Sequence, residues 1–186
     1  MFKQMSEEEV EQLIADCLAE KRRAQHKLFK QFYGTAFAVC MRYAKGEEEA
    51  QDMLNEGFIK VFANLQKFQN KPEGSFEGWL KRVVVNAAID YQRRYKTLVQ
   101  MTDYEDALES ELPTIAQNDA IAKMSADEII LLIQKLPPMT RSVFNLYVFE
   151  GLPHAEIAKI LDMKEGTSHW HLNFARAKLK EMLSNK

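Results

Sequence analysis

The chain has 186 residues, 46% of them hydrophobic and 28% charged, and a net charge of −2, which suits one ordinary or two small globular domains. Its 7 Gly and 5 Pro are too few for an all-β fold, and its short, charge-interrupted apolar stretches exclude a membrane span. The start of the chain lacks the basic-then-apolar pattern of a signal peptide, so we expect a cytoplasmic protein. Cys17 and Cys40 have no metal or redox spacing and are predicted to be buried thiols.

The net charge argues against a nucleic-acid partner until the charge is counted by segment. Residues 97–128 carry eight acidic side chains and one basic side chain, a net charge of −7. Residues 72–96 have five bases and three acids, residues 129–186 have eight bases and five acids, and residues 1–71 are balanced at eleven each. Two mildly basic segments are therefore separated by an acidic one, which the net charge conceals.

Four helices are predicted in the first part of the chain. Ser6 and Glu9 form a capping-box pattern that begins a helix ending near Glu20, and a second helix runs from about residue 24 to residue 45. A third helix is indicated by apolar residues at three- and four-residue steps. These are Ala50, Met53, Leu54, Gly57, Phe58, Val61, Phe62 and Leu65. After a loop at 70–74, a fourth helix is predicted over about 75–95. Its predicted inner face consists of Phe76, Leu80, Val83, Ala87 and Tyr91.

The second part of the chain begins with the acidic stretch, which has weak periodicity and is predicted to be a flexible linker. Ser125 and Glu128 form another capping box, Pro138 and Pro153 suit first turns, and Gly151 suits a helix C-terminus. Four further helices are predicted over about 126–135, 138–150, 153–161 and 165–183. The predicted fold is all-α: a helical domain at 1–96, an acidic linker at 97–124 and a second helical domain at 125–186.

The last two predicted helices have the spacing of a helix-turn-helix. Ile157, Ala158 and Leu161 give the first helix its inner face, and Met163 fills the turn. The predicted inner stripe of the second helix is Ser168, Leu172, Ala175, Leu179 and Leu183. In this motif the N-terminal part of the second helix enters the major groove of DNA. The residues left to point outward are Thr167, Trp170, Asn173 and Phe174, flanked by His169 and His171, with Arg176, Lys178 and Lys180 further along.

A helical hairpin without a DNA role has the same spacing, so that alternative stays open. An outward Trp170 and Phe174 favour an interface, because exposed aromatic residues usually mark one. Asp162 occupies a turn position that often needs positive φ, which Asp tolerates better than most residues. Ser168 stands where a β-branched core residue is usual, so the two helices are expected to lie close together.

Two helix faces in the first part of the chain carry polar groups in register. Glu49, Asp52 and Glu56 fall at three- and four-residue steps, which indicates either a solvated acidic face or an acidic docking ridge for a basic partner. The fourth helix carries Trp79, Arg82, Asn86, Asp90 and Arg93 along one side. Interleaved aromatic and cationic groups suit single-stranded DNA, whereas the competing interpretation makes Trp79 a core residue and the charges solvated.

Two sets of motifs together resemble the extracytoplasmic-function (ECF) subfamily of bacterial RNA polymerase sigma factors. The stretches 49–62, Gly74 to Leu80, Asn86 to Asp90 and Arg93-Arg94 are similar to region two of that family. Leu136 to Arg141, the turn at 150–152, Ala155 to Ala158 and Glu165 to Thr167 are similar to region four. The likeness covers about 25–96 and 126–183, in the family's order, with a linker between.

The resemblance implies roles for individual residues. The family surface that docks on the clamp helices of RNA polymerase is matched by Asp52, Asn55 and Glu56. The part that opens and reads the minus-ten element is matched by Asn70, Lys71, Trp79, Arg82, Asn86 and Arg93. The helix that reads the minus-thirty-five element is matched by Lys164, Glu165, Thr167, His169, Trp170, His171, Asn173 and Arg176. The family often has Lys-Ser-Arg where this chain has residues 169–171, so promoter preference cannot be copied from relatives.

The resemblance also implies a function and partners: a non-enzymatic subunit that binds core RNA polymerase and directs promoter recognition and transcription initiation. Core polymerase, promoter DNA and an anti-sigma factor are the expected partners; no cofactor, catalytic residue or direct membrane insertion is expected. The alternative is a stand-alone helix-turn-helix regulator, although the basic surface looks thin for unaided tight binding. A helical metalloenzyme is disfavoured, because His169 and His171 lie about 200° apart around a helix.

Overall fold

The computed structural model describes residues 5–68, 75–98 and 125–184, and the side chains of 95–98 are not described. This part of the chain consists of α-helices, one short 3₁₀-helix at Leu65–Lys67 and connecting turns, so the all-α prediction is confirmed. In the first part lie α1 (Glu7–Leu18), α2 (Arg22–Tyr43), α3 (Glu47–Asn64) and α4 (Phe76–Leu98). In the second lie α5 (Ala126–Gln134), α6 (Pro138–Val148), α7 (His154–Leu161) and α8 (Glu165–Ser184).

The chain divides into two compact units, Met1–Tyr91 and Gln92–Lys186. Helix α4 continues to Leu98 and so includes the first two residues of the predicted linker. The rest of that predicted linker, the loop predicted at 70–74 and residues 1–4 lie outside the described residues. The exact domain boundaries therefore stay a prediction.

Both predicted capping boxes are present. The Ser6 hydroxyl accepts from the Glu9 amide at 3.2 Å, and the Glu9 carboxylate accepts from the Ser6 amide at 2.9 Å. Ser125 and Glu128 repeat the arrangement at 3.3 and 3.0 Å. Each box satisfies backbone donors that have no partner within the helix, which is why α1 and α5 begin where the sequence indicated.

Helix α3 is buried along one face in the first unit. Its predicted apolar stripe is confirmed, with Phe62 half-buried and the other residues buried. It packs on α2, which in turn packs on α1. Cys17 and Cys40 are free, buried thiols as predicted, and burial raises the pKa of Cys40 to about 12. These thiols are therefore protonated and unreactive at neutral pH.

The predicted inner face of α4 is only partly right. Val83 and Tyr91 are half-buried, and the fully buried set is wider. It consists of Phe76, Leu80, Val84, Val85, Ala87, Ala88 and Ile89. These residues cover an arc of roughly 220° at 100° per residue, so α4 is enclosed on more than one side. A single-stripe prediction fails for such a helix.

Helices α3 and α4 approach closely at Gly57. A Cβ atom built on Gly57 would lie 3.3 Å from Cγ2 of Val84, whereas one built on Gly34 of α2 would meet nothing within 4 Å. The close contact between α3 and α4 therefore depends on glycine having no side chain at position 57.

Gly57→Leu should lower the free energy of unfolding by about 1–3 kcal/mol, because a larger group at this crossing forces the helices apart. Gly34→Leu is the matched control, since it adds the same side chain to an exposed helix position. Urea unfolding of the full chain measures both. A Gly57→Leu chain as stable as the control would show that the crossing is not tight.

The second unit closes around a core drawn from all four of its helices. Helix α8 packs on α5, α6 and α7. The core residues are Leu132, Ile133, Leu136, Val143, Leu146, Ile157, Leu161, Leu172 and Ala175. Pro138 begins α6 as predicted, and Gly151 has φ +68 in the turn after it. Pro153 is the N-cap of α7 and precedes its first turn, a small correction to the prediction.

Candidate functional sites

The turn between α7 and α8 has the geometry that the sequence predicts for a helix-turn-helix. Ile157, Ala158 and Leu161 are buried. Asp162 has φ 52 and ψ 58, the left-handed conformation expected there, and the Met163 amide donates to the carbonyl of Ala158 at 3.0 Å. Asp accepts this conformation at lower cost than most residues with a side chain. The turn thereby fixes the start of α8.

A buried histidine–serine pair joins α7 to α8. Ser168 is fully buried, and its hydroxyl lies 2.8 Å from Nδ1 of His154, which is also buried. The His154 ring stacks on Tyr147 at 4.8 Å and contacts the His169 ring at 3.7 Å between centroids. Where α7 and α8 were expected to lie close together at Ser168, the structure has a polar contact between His154 and Ser168. The sequence did not indicate this contact, because tertiary packing alone brings His154 and Ser168 together.

The environment of His154 disfavours its charged form. Burial lowers the pKa of His154, and the nearby charges of His169 and Arg176 lower it further, whereas Glu165 opposes the shift. A histidine with a lowered pKa binds fewer protons in the folded state than in the unfolded state. The stability it contributes is thus present above its ordinary value near 6.5 and is lost as the pH falls below it.

The second unit should therefore be less stable at about pH 5.5 than at about pH 7.5, because the unfolded chain takes up the proton on His154 first. Urea unfolding of the full chain, followed by NMR signals of α7 and α8, measures the difference. His154→Gln should reduce this pH dependence, and His26→Gln, at an exposed position of the first unit, should leave it intact. An unchanged pH dependence in His154→Gln would mean that another group causes it.

The predicted reading face of α8 is partly packed against its own domain. Trp170 and Phe174 are half-buried and stack in parallel, 5.1 Å apart with 12° between the rings. His171 is half-buried, and its Nδ1 lies 3.0 Å from the hydroxyl of Thr140. Arg176 is exposed, with its guanidinium 5.7 Å from the centre of the Tyr147 ring.

The other members of the predicted set lie at or near the surface. Lys164, Glu165 and His169 are exposed, whereas Thr167 and Asn173 are half-buried. Ser168, Leu172 and Ala175 of the predicted inner stripe are buried, and Leu179 and Leu183 are half-buried. The N-terminal half of α8 thus presents a mixed aromatic and polar face with little charge.

The predicted docking ridge consists of Asp52, Asn55 and Glu56 on α3. Asp52 and Asn55 are exposed and Glu56 is half-buried. The Tyr91 hydroxyl lies 3.5 Å from the Asp52 carboxylate. Burial raises the pKa of Tyr91, and the carboxylates of Asp52, Glu49 and Glu56 raise it further. Three carboxylates of α3 therefore lie near the Tyr91 hydroxyl.

Sequence analysis missed an apolar residue beside this ridge. Ile59, one turn along α3 from Asn55 and Glu56, has 68% of its surface exposed. Ile59 lies outside the buried apolar stripe of α3. Its place in the helical periodicity could therefore have identified it from the sequence as an exposed apolar residue. An exposed isoleucine beside a carboxylate and an amide has the composition of a protein-docking surface, with an apolar centre and a polar rim.

Helix α4 carries the predicted minus-ten residues on one face. Arg82, Asn86 and Arg93 are exposed, and Asp90 pairs with Lys60 of α3 at 2.6 Å. Trp79 is half-buried at the edge of an aromatic cluster, 5.4 Å from Phe68 and 5.5 Å from Phe76. Asn70 and Lys71 lie outside the described residues. Trp79 therefore combines features of both interpretations, since it contacts two aromatic rings and is only half-buried.

The described residues contain no group of three or more His, Cys, Asp or Glu side chains arranged to hold a metal ion. None of their helices combines the length and the apolar character needed to cross a membrane.

Comparison with known families assigns both units. Residues 28–97 match the model of sigma-70 region 2, and residues 126–179 match that of sigma-70 region 4. The chain is similar to the ECF RNA polymerase sigma factor SigE of Mycolicibacterium smegmatis, with 30% identity over 162 residues. The chain belongs to the ECF sigma factors. The match covers 85% of the chain and 61% of the mycobacterial protein, so the chain spans about three fifths of that relative.

Other relatives match this ECF sigma factor over nearly their whole length. The ECF RNA polymerase sigma-E factor of Haemophilus influenzae is 26% identical, covering 95% of the chain and 96% of the relative. The sigma factor RpoE of Bartonella quintana, solved in complex with the anti-sigma factor NepR, has a TM-score of 0.51 and 18% identity. That likeness covers 86% of this chain and 96% of the other, and it concerns the fold.

Proposed function

We propose that the chain is the promoter-specificity subunit of a bacterial RNA polymerase, acting in the cytoplasm without catalytic chemistry of its own. The observation that carries this proposal is one chain with both a region 2 unit and a region 4 unit, each with an accessible face at the family's DNA-reading helix. The α4 face suits single-stranded DNA and the α8 face suits duplex DNA, and the opening of a promoter involves both forms.

In this proposal the α3 ridge docks on core RNA polymerase. Its exposed carboxylate and amide groups, with Ile59 beside them, fit a basic partner that has an apolar contact point. The exposed Arg82, Asn86 and Arg93 of α4, with Trp79, Asn70 and Lys71, hold the separated strand of the minus-ten element.

Helix α8 takes the minus-thirty-five element in the major groove. Exposed Lys164, His169 and Arg176 contact the DNA, and the Trp170–Phe174 stack provides an apolar surface for thymine methyl groups. An anti-sigma factor is proposed as the restraining partner. The solved relative from Bartonella quintana is bound to such a protein, which supports the suggestion.

Transcription with core polymerase tests the function against the stand-alone regulator. The purified chain should direct specific initiation from a subset of genomic promoters only when core enzyme is added, and sequencing the transcripts identifies them. Without core enzyme it should bind those promoters weakly at physiological salt, because few cations flank the reading face of α8. Tight, specific binding by the chain alone would favour the regulator.

Trp170→Ala should weaken recognition of duplex promoter DNA by about tenfold to a hundredfold and leave a pre-melted bubble template usable, since only the duplex needs the minus-thirty-five contact. Trp170→Phe keeps the ring stacked on Phe174 and is the matched control. Gel-shift assays with the holoenzyme on both templates measure the effect. Equal loss on both templates, with the fold intact, would contradict the role of α8.

A further inference from the structure

The first two and a half turns of α2 carry a row of four cationic side chains and one histidine that the proposed function does not use. We define the α2 cationic stripe as Arg22, Arg23, His26, Lys27 and Lys30, all of them exposed. At 100° per residue they lie within an arc of about 140°. The sequence of α2 contains no Asp or Glu over its 22 residues, so the stripe has no acidic neighbour on its own helix.

The acidic groups near the stripe belong to α1 and to Glu20, which lies between α1 and α2 two residues before Arg22. Glu9 and Asp16 line one cleft together with Arg23 and Lys27. Asp16 is bound to Lys21, at 2.8 Å, and that salt bridge lowers the pKa of Asp16. Arg22, His26 and Lys30 lie on the edge of the stripe farther from this cleft. Part of the stripe is therefore offset by α1, and its far edge carries the exposed cations Arg22 and Lys30.

The composition of the stripe favours a phosphate backbone over a protein surface. Protein interfaces depend on a desolvated apolar or aromatic centre, and α2 has no exposed large hydrophobic residue within the described part of the chain. Arg and Lys side chains without such a centre suit phosphate oxygens. From residue 22 to residue 30 the stripe is about 12 Å long, at 1.5 Å per residue. That length spans about three phosphates of one DNA strand.

We propose that the α2 cationic stripe binds the sugar–phosphate backbone of promoter DNA when the chain is part of the holoenzyme. This inference rests on the proposed function and adds a contact to it. Four of the five residues precede residue 28, where the region 2 match begins, so the family model does not account for them. The contact supplies affinity without sequence information. The contact also adds cationic groups to the DNA-binding surface of a chain whose net charge is −2 and whose recognition helix has few cations.

The test is the salt dependence of promoter binding by holoenzyme assembled from core RNA polymerase and the full chain. The promoter fragment is one mapped by transcript sequencing. The variant Arg22→Gln, Arg23→Gln, Lys27→Gln, Lys30→Gln should bind more weakly at low salt. Its plot of log affinity against log salt concentration should be shallower by about 2 to 4, because each lost phosphate contact removes about 0.9 from the slope.

Two further variants sharpen the result. Arg22→Gln with Lys30→Gln removes two cations and should reduce the slope by about 1 to 2. Lys45→Gln with Lys135→Gln removes the same charge from exposed positions outside the stripe and should leave the slope unchanged. Circular dichroism of each full-length variant confirms that the fold is kept.

The outcomes separate this proposal from the function it rests on. A wild-type chain that fails to bind core polymerase would overturn the proposed function, and the stripe's role with it. A wild-type holoenzyme that initiates normally, with a stripe variant of unchanged salt slope, would overturn the stripe proposal alone. Weaker core binding by the stripe variant, with an unchanged slope, would instead assign the stripe to an acidic protein surface and also overturn the proposal.

Discussion

Asp52→Lys combined with Glu56→Lys should abolish binding of the chain to core RNA polymerase. The two carboxylates lie one turn apart on α3; Asp52 is exposed and Glu56 is half-buried. Reversal places two cations against the basic surface proposed as the partner, and disrupting buried charge pairs at an interface costs about 2–5 kcal/mol or more. That loss corresponds to at least about a thirtyfold weaker complex.

The fold should survive this change. The contact from Tyr91 to Asp52 is long, at 3.5 Å, and substitutions of surface charges usually alter stability by about 0.5 kcal/mol or less. Co-purification with core enzyme measures binding, and circular dichroism measures folding. Glu7→Lys with Glu8→Lys, on exposed positions of α1, makes the same change of charge and should leave binding intact. Normal co-purification of the α3 variant would refute the docking role.

Trp79→Ala should impair strand opening by about tenfold to a hundredfold, because loss of an aromatic stacking partner costs about 1–3 kcal/mol per base. Closed-complex formation should be spared. The ring also packs against Phe68 and Phe76, so the variant should unfold more easily as well. A fully buried Trp costs about 3–5 kcal/mol on truncation, and roughly half of that is expected for a half-buried ring.

Phe76→Leu separates the two effects. Phe76 is buried within the same cluster, so its truncation weakens packing without removing the accessible ring. Permanganate footprinting of the holoenzyme reports strand opening, gel shifts report the closed complex, and thermal melts report stability. If Trp79→Ala and Phe76→Leu were to impair opening equally at matched stability, Trp79 would be a packing residue only.

Most of the fold follows from local features that the sequence contains in full. The capping boxes at Ser6 and Ser125, the proline at 138 and the positive φ at Asp162 each depend on neighbouring residues. For this reason all four helices of the second unit begin and end within two residues of their predicted bounds. The burial of α4 depends on how many partners surround it, and periodicity within one helix does not contain that information.

In the candidate sites, too, some features follow from the local sequence and others depend on tertiary packing. Exposure of Asp52, Arg82 and Asn86 follows from their place opposite an apolar stripe, and the structure shows them exposed. The contacts of His154 and His171 join residues 14 and 31 positions apart, so they depend on tertiary packing. The α8 face consequently looked more accessible in the sequence than it is in the structure.

The buried pair of His154 and Ser168 has a consequence for engineering. Recognition helices are natural units to transplant when a new promoter preference is wanted. Here the helix is held by polar contacts from residues on other elements, His154 on α7 and Thr140 on α6. A foreign helix with an apolar residue at 168 would leave a buried imidazole nitrogen without its partner, at a cost of about 1–3 kcal/mol. A chimera of this protein should therefore exchange positions 140 and 154 together with the helix.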